Sequence, residues 1–210
     1  MVEASPTRRD LRRSHGQRTR AAILHAAVDS ASEGGLEALT IGRLAKELEM
    51  SKAGVFTHFG SKEGLLIATV DAARDRFAEL VVRPAFERES GLARLDALFE
   101  GNLGLHASPC FSGGCFFGKA SAEFENRPGA VRERIIAVVG EWASLVRATL
   151  ERAVEQGELS ADTDVELLAF EWLALTQRAS RSAQLGHTRS IELARRAISQ
   201  RLAPLLVTAD

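Results

Sequence analysis

Chemistry in this chain is concentrated in a few short stretches. One is Ser51-Lys52-Ala53-Gly54-Val55-Phe56-Thr57-His58, in which small and polar side chains follow a serine at a helix-capping position. A short helix presenting Ser51, Lys52, Ala53, Gly54, Thr57 and His58 suits a DNA major groove, which is about 12 Å wide. Ala53 and Gly54 let the backbone approach the base edges, and the polar side chains supply donors and acceptors. A second stretch holds Cys110 and Cys115, with Lys119 one turn further on. A cation beside a thiol lowers its pKa and makes it reactive, which would give a redox or electrophile switch. The simpler reading makes Cys115 a small buried hydrophobe and Cys110 a loop residue. No nucleophile elbow, H-E-x-x-H, phosphate loop or paired CxxC is present, and the 5 histidines are scattered. Two cysteines suffice for neither a disulfide framework nor a zinc site of their own. The residues therefore point away from an enzyme, and no metal or cofactor is expected.

The elements that must position these residues are helices. Of the 210 residues 45% are hydrophobic and 26% charged, ordinary usage for a globular chain. Tyr is absent and Ala, Leu, Glu and Arg dominate, all strong helix formers. No apolar run approaches the ~18 residues of a membrane span, and the polar N-terminus has no signal-peptide core, so a cytoplasmic protein is expected. Net charge is only −1, but residues 1–20 hold six arginines (Arg8, Arg9, Arg12, Arg13, Arg18, Arg20) against Glu3 and Asp10. That asymmetry predicts a basic, flexible arm over residues 1–16 on a mildly acidic body.

Ile23, Leu24, Ala27, Val28 and Ala31 recur at helical spacing and predict a helix from about Gln17 to Glu33, ended by Gly34-Gly35. Thr40 then caps a helix whose apolar positions are Ile41, Leu44, Ala45 and Leu48. Arg43 stands where a capping box would have Glu. Ser51 caps the next helix, Gly60 closes it, and Ser61 caps a long one running to about Val82, before Pro84. Further helices are predicted at about Leu92 to His106, Gly114 to Glu125, Pro128 to Gln156, Asp162 to Leu185 and Thr188 to Leu206. The two short helices over residues 40–59 form a helix-turn-helix pattern, with Ile41, Leu44, Ala45, Val55 and Phe59 facing inward.

The stretch from Thr40-Ile41-Gly42-Arg43-Leu44-Ala45 through Ser51-Lys52-Ala53-Gly54-Val55-Phe56-Thr57-His58-Phe59-Gly60-Ser61-Lys62-Glu63 resembles the DNA-binding domain of TetR-family transcriptional regulators. The resemblance covers about residues 17–77, including Arg20-x-x-Ile23-Leu24-x-Ala26-Ala27. It implies an all-α fold: an N-terminal three-helix helix-turn-helix domain over residues 17–77, then a helical ligand-binding and dimerisation domain over residues 78–210. Also implied is a homodimer on a near-palindromic operator in double-stranded DNA, acting as a repressor released by a small apolar or amphipathic effector. Thr40 and Lys62 match positions at which the family touches phosphates. Together with Arg18, Arg43, Ser51, Lys52, Ala53, Gly54, Phe56, Thr57 and His58 they are the candidate DNA contacts.

For the effector, the implied cavity draws on His106, Cys115, Phe116, Phe117, Glu123, Trp142, Trp172 and Gln177. For the dimer, large and small residues alternate at Leu168, Trp172, Leu175, Ala179, Ile191, Ala194 and Ile198, a pattern that an internal core face would share. Two departures from the family stand out. Phe56 replaces a tyrosine whose hydroxyl can reach a phosphate, and Glu49 replaces a glycine in the turn. These leave open a second reading, a ligand-binding protein with a degenerate recognition helix, beside the redox-sensing regulator built on Cys110 and Cys115.

Overall fold

The computed structural model describes residues 8–105, 111 and 113–207. Among them no strand forms beyond one isolated bridge between Leu159 and Leu206. Helix α1 spans Arg8–Gly34 and so begins well before the expected Gln17. The reason is local: Arg, Leu and Gln are good helix formers, and extending an existing helix needs no new nucleus. The arm expected to be flexible over residues 1–16 is therefore helical over residues 8–16, and its first seven residues lie outside the described ones.

Helix α2 (Ile41–Glu47) starts where Thr40 accepts the Arg43 N–H at 3.1 Å. It ends in a Schellman closure, with Met50 N–H donating to Ala45 O at 2.8 Å and Glu49 N–H to Lys46 O at 3.4 Å. That closure demands a left-handed residue, and Glu49 takes the role at φ 54°, alone in this region among described non-glycine residues. Helix α3 (Lys52–Phe59) is capped by Ser51, which accepts from Gly54 N–H at 3.0 Å, and is closed by Gly60 at φ 72°. Helix α4 (Lys62–Phe77) is capped by Ser61, which accepts from Gly64 N–H at 2.9 Å.

The expected stop before Pro84 does not occur. A π-helical segment (Ala78–Val82) carries the chain into α5 (Arg83–Phe86). Proline normally clashes with the carbonyl four residues back. The wider π turn removes that four-residue register, so Pro84 is accommodated in a continuing helix. Helices α6 (Leu92–Gly104), α7 (Phe116–Phe124), α8 (Ala130–Glu155), α9 (Val165–Gln184) and α10 (Arg189–Leu202) complete the fold, each slightly shorter than expected. No described helix is long and apolar enough to cross a membrane.

Two hydrophobic clusters hold these elements. The first joins Ile23, Val28, Leu36, Leu44, Val55 and Leu65 of the head to Phe111, Phe116, Phe124, Val131 and Ile135. The second joins Val81, Leu98, Phe99, Val146, Leu150, Leu168, Trp172 and Ile198. Helix α8 thus contributes its first half to one core and its second half to the other. Leu44, Ala45 and Val55 face inward as expected, while Ile41 and Phe59 are only partly buried against that core.

The residues expected at a dimer interface require a correction. Leu168, Trp172, Ala179, Ala194 and Ile198 are buried inside the single chain, and Leu175 and Ile191 are partly buried with them. Large apolar residues at helical spacing mark the face with the strongest apolar drive, and here that face is the α9–α10 packing itself. The outward faces instead carry Leu167, Phe170 and Leu193.

Glycine suits the left-handed turn better than Glu49 does. Glu49→Gly should stabilise the fold by about 0.5–1 kcal/mol, the ~1–2 kcal/mol of strain less the extra chain entropy glycine gives up. A higher urea midpoint at unchanged slope is the expected reading.

Candidate functional site

Capping places the recognition surface. With Ser51 holding the first turn of α3 and Gly60 its last, Ser51, Lys52, Ala53, Phe56 and Thr57 face solvent, and Gly54 and His58 are half-buried. Phe56 is 50% exposed, an unusual position for a phenylalanine that no core contact claims. Thr57 donates its hydroxyl proton to Ala53 O at 2.8 Å, which leaves its oxygen as an acceptor toward a groove. His58 lies against Phe59, ring centroids 6.2 Å apart, and the Arg20 guanidinium sits 5.2 Å from the Phe59 centroid. The Lys52 stem lies alongside Gly42 of α2, and Arg43 turns its guanidinium toward Gly34 at the end of α1. Arg18, on the outward face of α1, donates to Ser14.

Lys62 does not extend freely. Its ammonium donates to Glu37 O at 2.9 Å and to Glu37 Oε1 at 3.2 Å. Glu37 belongs to the corner between α1 and α2, and α7 grips that corner. Lys119 Nζ donates to Ser32 O at 2.6 Å and to Glu33 O at 3.3 Å, where a cation also meets the negative end of α1. Glu123 Oε2 accepts the Glu37 N–H at 3.1 Å. The approach is tight: a Cβ on Gly113 would stand 1.8 Å from Ser32 O, and one on Gly35 would stand 2.0 Å from Glu123 Oε1. Arg127, just beyond α7, pairs with Glu37 Oε1 at 3.3 Å.

Beside this corner opens a cavity of about 1460 Å³, bounded by α4, α7, α8 and α9, with Glu33, Gly34 and Gly35 as part of its wall. Of the expected ligand residues, Cys115, Phe116, Phe117, Glu123, Trp142 and Gln177 line it. Trp172 does not. It is buried behind the wall, 5.8 Å from Trp142 and 5.5 Å from Phe99 by ring centroids, with its indole N–H unpartnered. His106 and Cys110 lie outside the described residues. Arg74 and Lys119 also line the cavity and were not among the expected ligand contacts. Arg74 bonds Glu141 at 2.5 Å, and Arg134 spans Glu141 at 3.3 Å and Asp71 at 2.6 Å, tying α4 to α8. The Arg74 hydrogen bond is the leading cause that holds the Glu141 carboxyl below its ordinary range.

Burial, the leading cause, pushes the Cys115 thiol above its ordinary value, although Gly118 N–H points at its sulfur. The cation expected to activate it, Lys119, is committed to the α1 carbonyls. The raised thiol pKa and the engagement of Lys119 argue against an activated Cys115, although the half-buried residue faces the cavity.

A capped helix-turn-helix with an outward polar helix, joined to a helical domain with a large cavity, is the architecture of a DNA-binding transcriptional regulator. Comparison with known proteins gives the family. Residues 23–69 match the family described as "Bacterial regulatory proteins, tetR family", and residues 91–198, just over half of the chain, match "Tetracyclin repressor-like, C-terminal domain". The chain belongs to the TetR family of transcriptional regulators, a family of regulators and not of enzymes. It is 25% identical over 151 residues to the transcriptional regulator AcuR of Cereibacter sphaeroides, covering 70% of this chain and 68% of that one. A TetR transcriptional regulator from Chloroflexus aurantiacus superposes with TM-score 0.85 at 23% identity, over 93% of this chain and 100% of that one. The regulator CifR, solved as a cysteine-substituted variant with a 26 bp double-stranded operator, superposes with TM-score 0.73 at 25% identity, over 84% of this chain and 93% of that one.

Two outcomes test this geometry. In a Cys110→Ser background, Cys115 should react with Ellman's reagent near neutral pH more slowly than a free thiol, because its raised pKa leaves less thiolate, and should speed up as pH rises. Gly113→Ala should lower stability by about 1–3 kcal/mol in thermal unfolding, because its methyl group must displace the α1 backbone.

Proposed function

We propose that this chain is a homodimeric repressor that binds a near-palindromic operator through α3 and is released by a small apolar or amphipathic effector in the α4–α9 cavity. The observation that carries this reading is the shared wall: the corner that fixes α1 against α2 and α3 is also a boundary of the cavity. An effector occupying that space meets Glu123 and Gly35 directly. Apolar walls of Phe116, Phe117, Trp142 and Leu173, with Arg74, Lys119 and Gln177 among them, suit an amphipathic molecule.

Two copies would set their recognition helices about 34–36 Å apart, one turn of DNA. The outward residues Leu167 and Leu193 of α9 and α10 supply apolar surface for that pairing, with Phe170 at the rim of the cavity. Release works through differential affinity, and a 100-fold loss of operator binding needs about 2.7 kcal/mol of coupling. Well-formed caps at Thr40, Ser51 and Ser61 and an outward polar α3 support DNA binding over a degenerate recognition helix.

Selection of bound fragments from genomic DNA by the purified protein, without added ligand, is the deciding experiment. A palindrome of one to two helical turns is expected; a folded dimer that enriches nothing would refute the reading. On the selected operator, Lys62→Ala should weaken binding to all sequences and reduce the log–log salt slope by about one. Substitution of Lys52 or Thr57 should change the selected bases instead. Phe56→Tyr, which restores a phosphate donor at an exposed site, should tighten binding roughly tenfold, the worth of about 1.5 kcal/mol for a hydrogen bond to a charged group.

A further inference from the structure

We infer that Glu37 and Arg127 are positioning residues for DNA binding: Arg127, in the turn just beyond α7, draws on the same Glu37 carboxylate oxygen that otherwise neutralises Lys62, and so sets how much charge Lys62 offers a phosphate. The inference rests on the DNA-binding reading above and adds the residues that regulate it.

One oxygen joins the three side chains. Lys62 Nζ lies 3.2 Å and Arg127 Nη1 lies 3.3 Å from Glu37 Oε1. Lys62 and Glu37 belong to the head, whereas Arg127 belongs to the turn between α7 and α8. Lys62, Glu37 and Arg127 together carry one net positive charge. Withdraw Arg127 and the remaining Lys62–Glu37 pair is neutral, with the carboxylate repelling any phosphate brought to Lys62. Supply Arg127 and the carboxylate is answered from the other side, leaving the ammonium its charge and its remaining N–H.

Arg127 moves with α7. Its backbone N–H donates to Phe124 O at 3.2 Å, and its guanidinium lies 5.9 Å from the centroid of the Phe124 ring. Glu123, the residue before Phe124, holds the Glu37 N–H and lines the cavity. The Glu123 carboxylate also lies against Gly35, where a Cβ would stand 2.0 Å from Oε1. A shift of α7 that carries Glu123 off the Glu37 N–H therefore carries Arg127 off the Glu37 carboxylate. Cavity occupancy and phosphate contact are linked through one oxygen.

The test is DNA binding by fluorescence anisotropy, first on a random-sequence duplex several turns long at low salt, then on the selected operator. A random duplex suffices because a phosphate contact carries no base preference. Glu37→Gln should tighten binding and Arg127→Ala should weaken it, each about two- to fivefold, the range of an exposed ion pair. Arg127→Lys should stay close to wild type. Two further combinations identify the route. In a Glu37→Gln background the loss from Arg127→Ala should shrink to less than half its logarithm. In a Lys62→Ala background Glu37→Gln should no longer tighten binding. Equal loss from Arg127→Ala in both backgrounds would show Arg127 acting on DNA by itself and would overturn the inference, as would an unchanged affinity for Glu37→Gln. Wild-type protein that binds no duplex would instead remove the regulator reading, and this inference with it. Far-UV circular dichroism checks folding, which exposed side chains at these positions should leave intact.

Discussion

Helix α1 ends with its carbonyls directed at the C-terminal half of the chain, and Lys119 meets them. That contact is charge-assisted and lies at the negative end of a long helix, so it holds α7 against the head more firmly than a surface pair would. Gly113 lets two backbones close to a distance no side chain permits, Gly35 leaves room for the Glu123 carboxylate, and Glu123 closes the joint on the Glu37 N–H. Once α7 is seated there, Phe116, Ala120 and Phe124 complete the core beneath α1 and α4. The cavity then has a wall that belongs to the DNA-binding head. Loss of this seat would part the cavity from the DNA-binding head.

Helix α4 provides a second link, of a different kind. It begins at Lys62 in the head and reaches the cavity at Arg74 and Phe77, so one continuous helix joins the two. Its ion pairs to α8, through Arg74, Glu141, Arg134 and Asp71, are mostly exposed and individually weak. The π segment that follows keeps the helix running past Pro84, and Val81 within it packs into the second core. Two cores thus meet along α4 and α8, one at the head and one at the far end.

Much of the fold was legible in the residues. Ser51, Ser61 and Thr40 announce helix starts through a local rule, side-chain oxygen to a backbone N–H three residues on, and each does so in the structure. Glu49 was legible as a strained turn only through the resemblance, which has glycine there, and the structure gives it φ 54°. What escaped was long-range. The Glu123–Glu37 bond joins residues 86 apart, and no periodicity in a single sequence points from one to the other. Lys119 attracted notice beside Cys115, yet its partners are carbonyls far back along the chain. The dimer-face residues were misplaced because an apolar stripe reports burial without saying what does the burying. Pro84 misled for a related reason: a proline stops a helix of regular register, and the register had already changed.

The first hydrophobic cluster ignores the boundary that the sequence draws at residue 77. Phe111, Phe116, Phe124, Val131 and Ile135 belong to the core of the head as much as Ile23 or Leu65 do. A regulator of this build is therefore not a reading head bolted to an interchangeable sensor. Recombination that swapped heads at that boundary would strand one half of a core, so new pairings of head and C-terminal domain must arise by drift within the intact chain, or by exchange that carries α7 and the start of α8 along with the head.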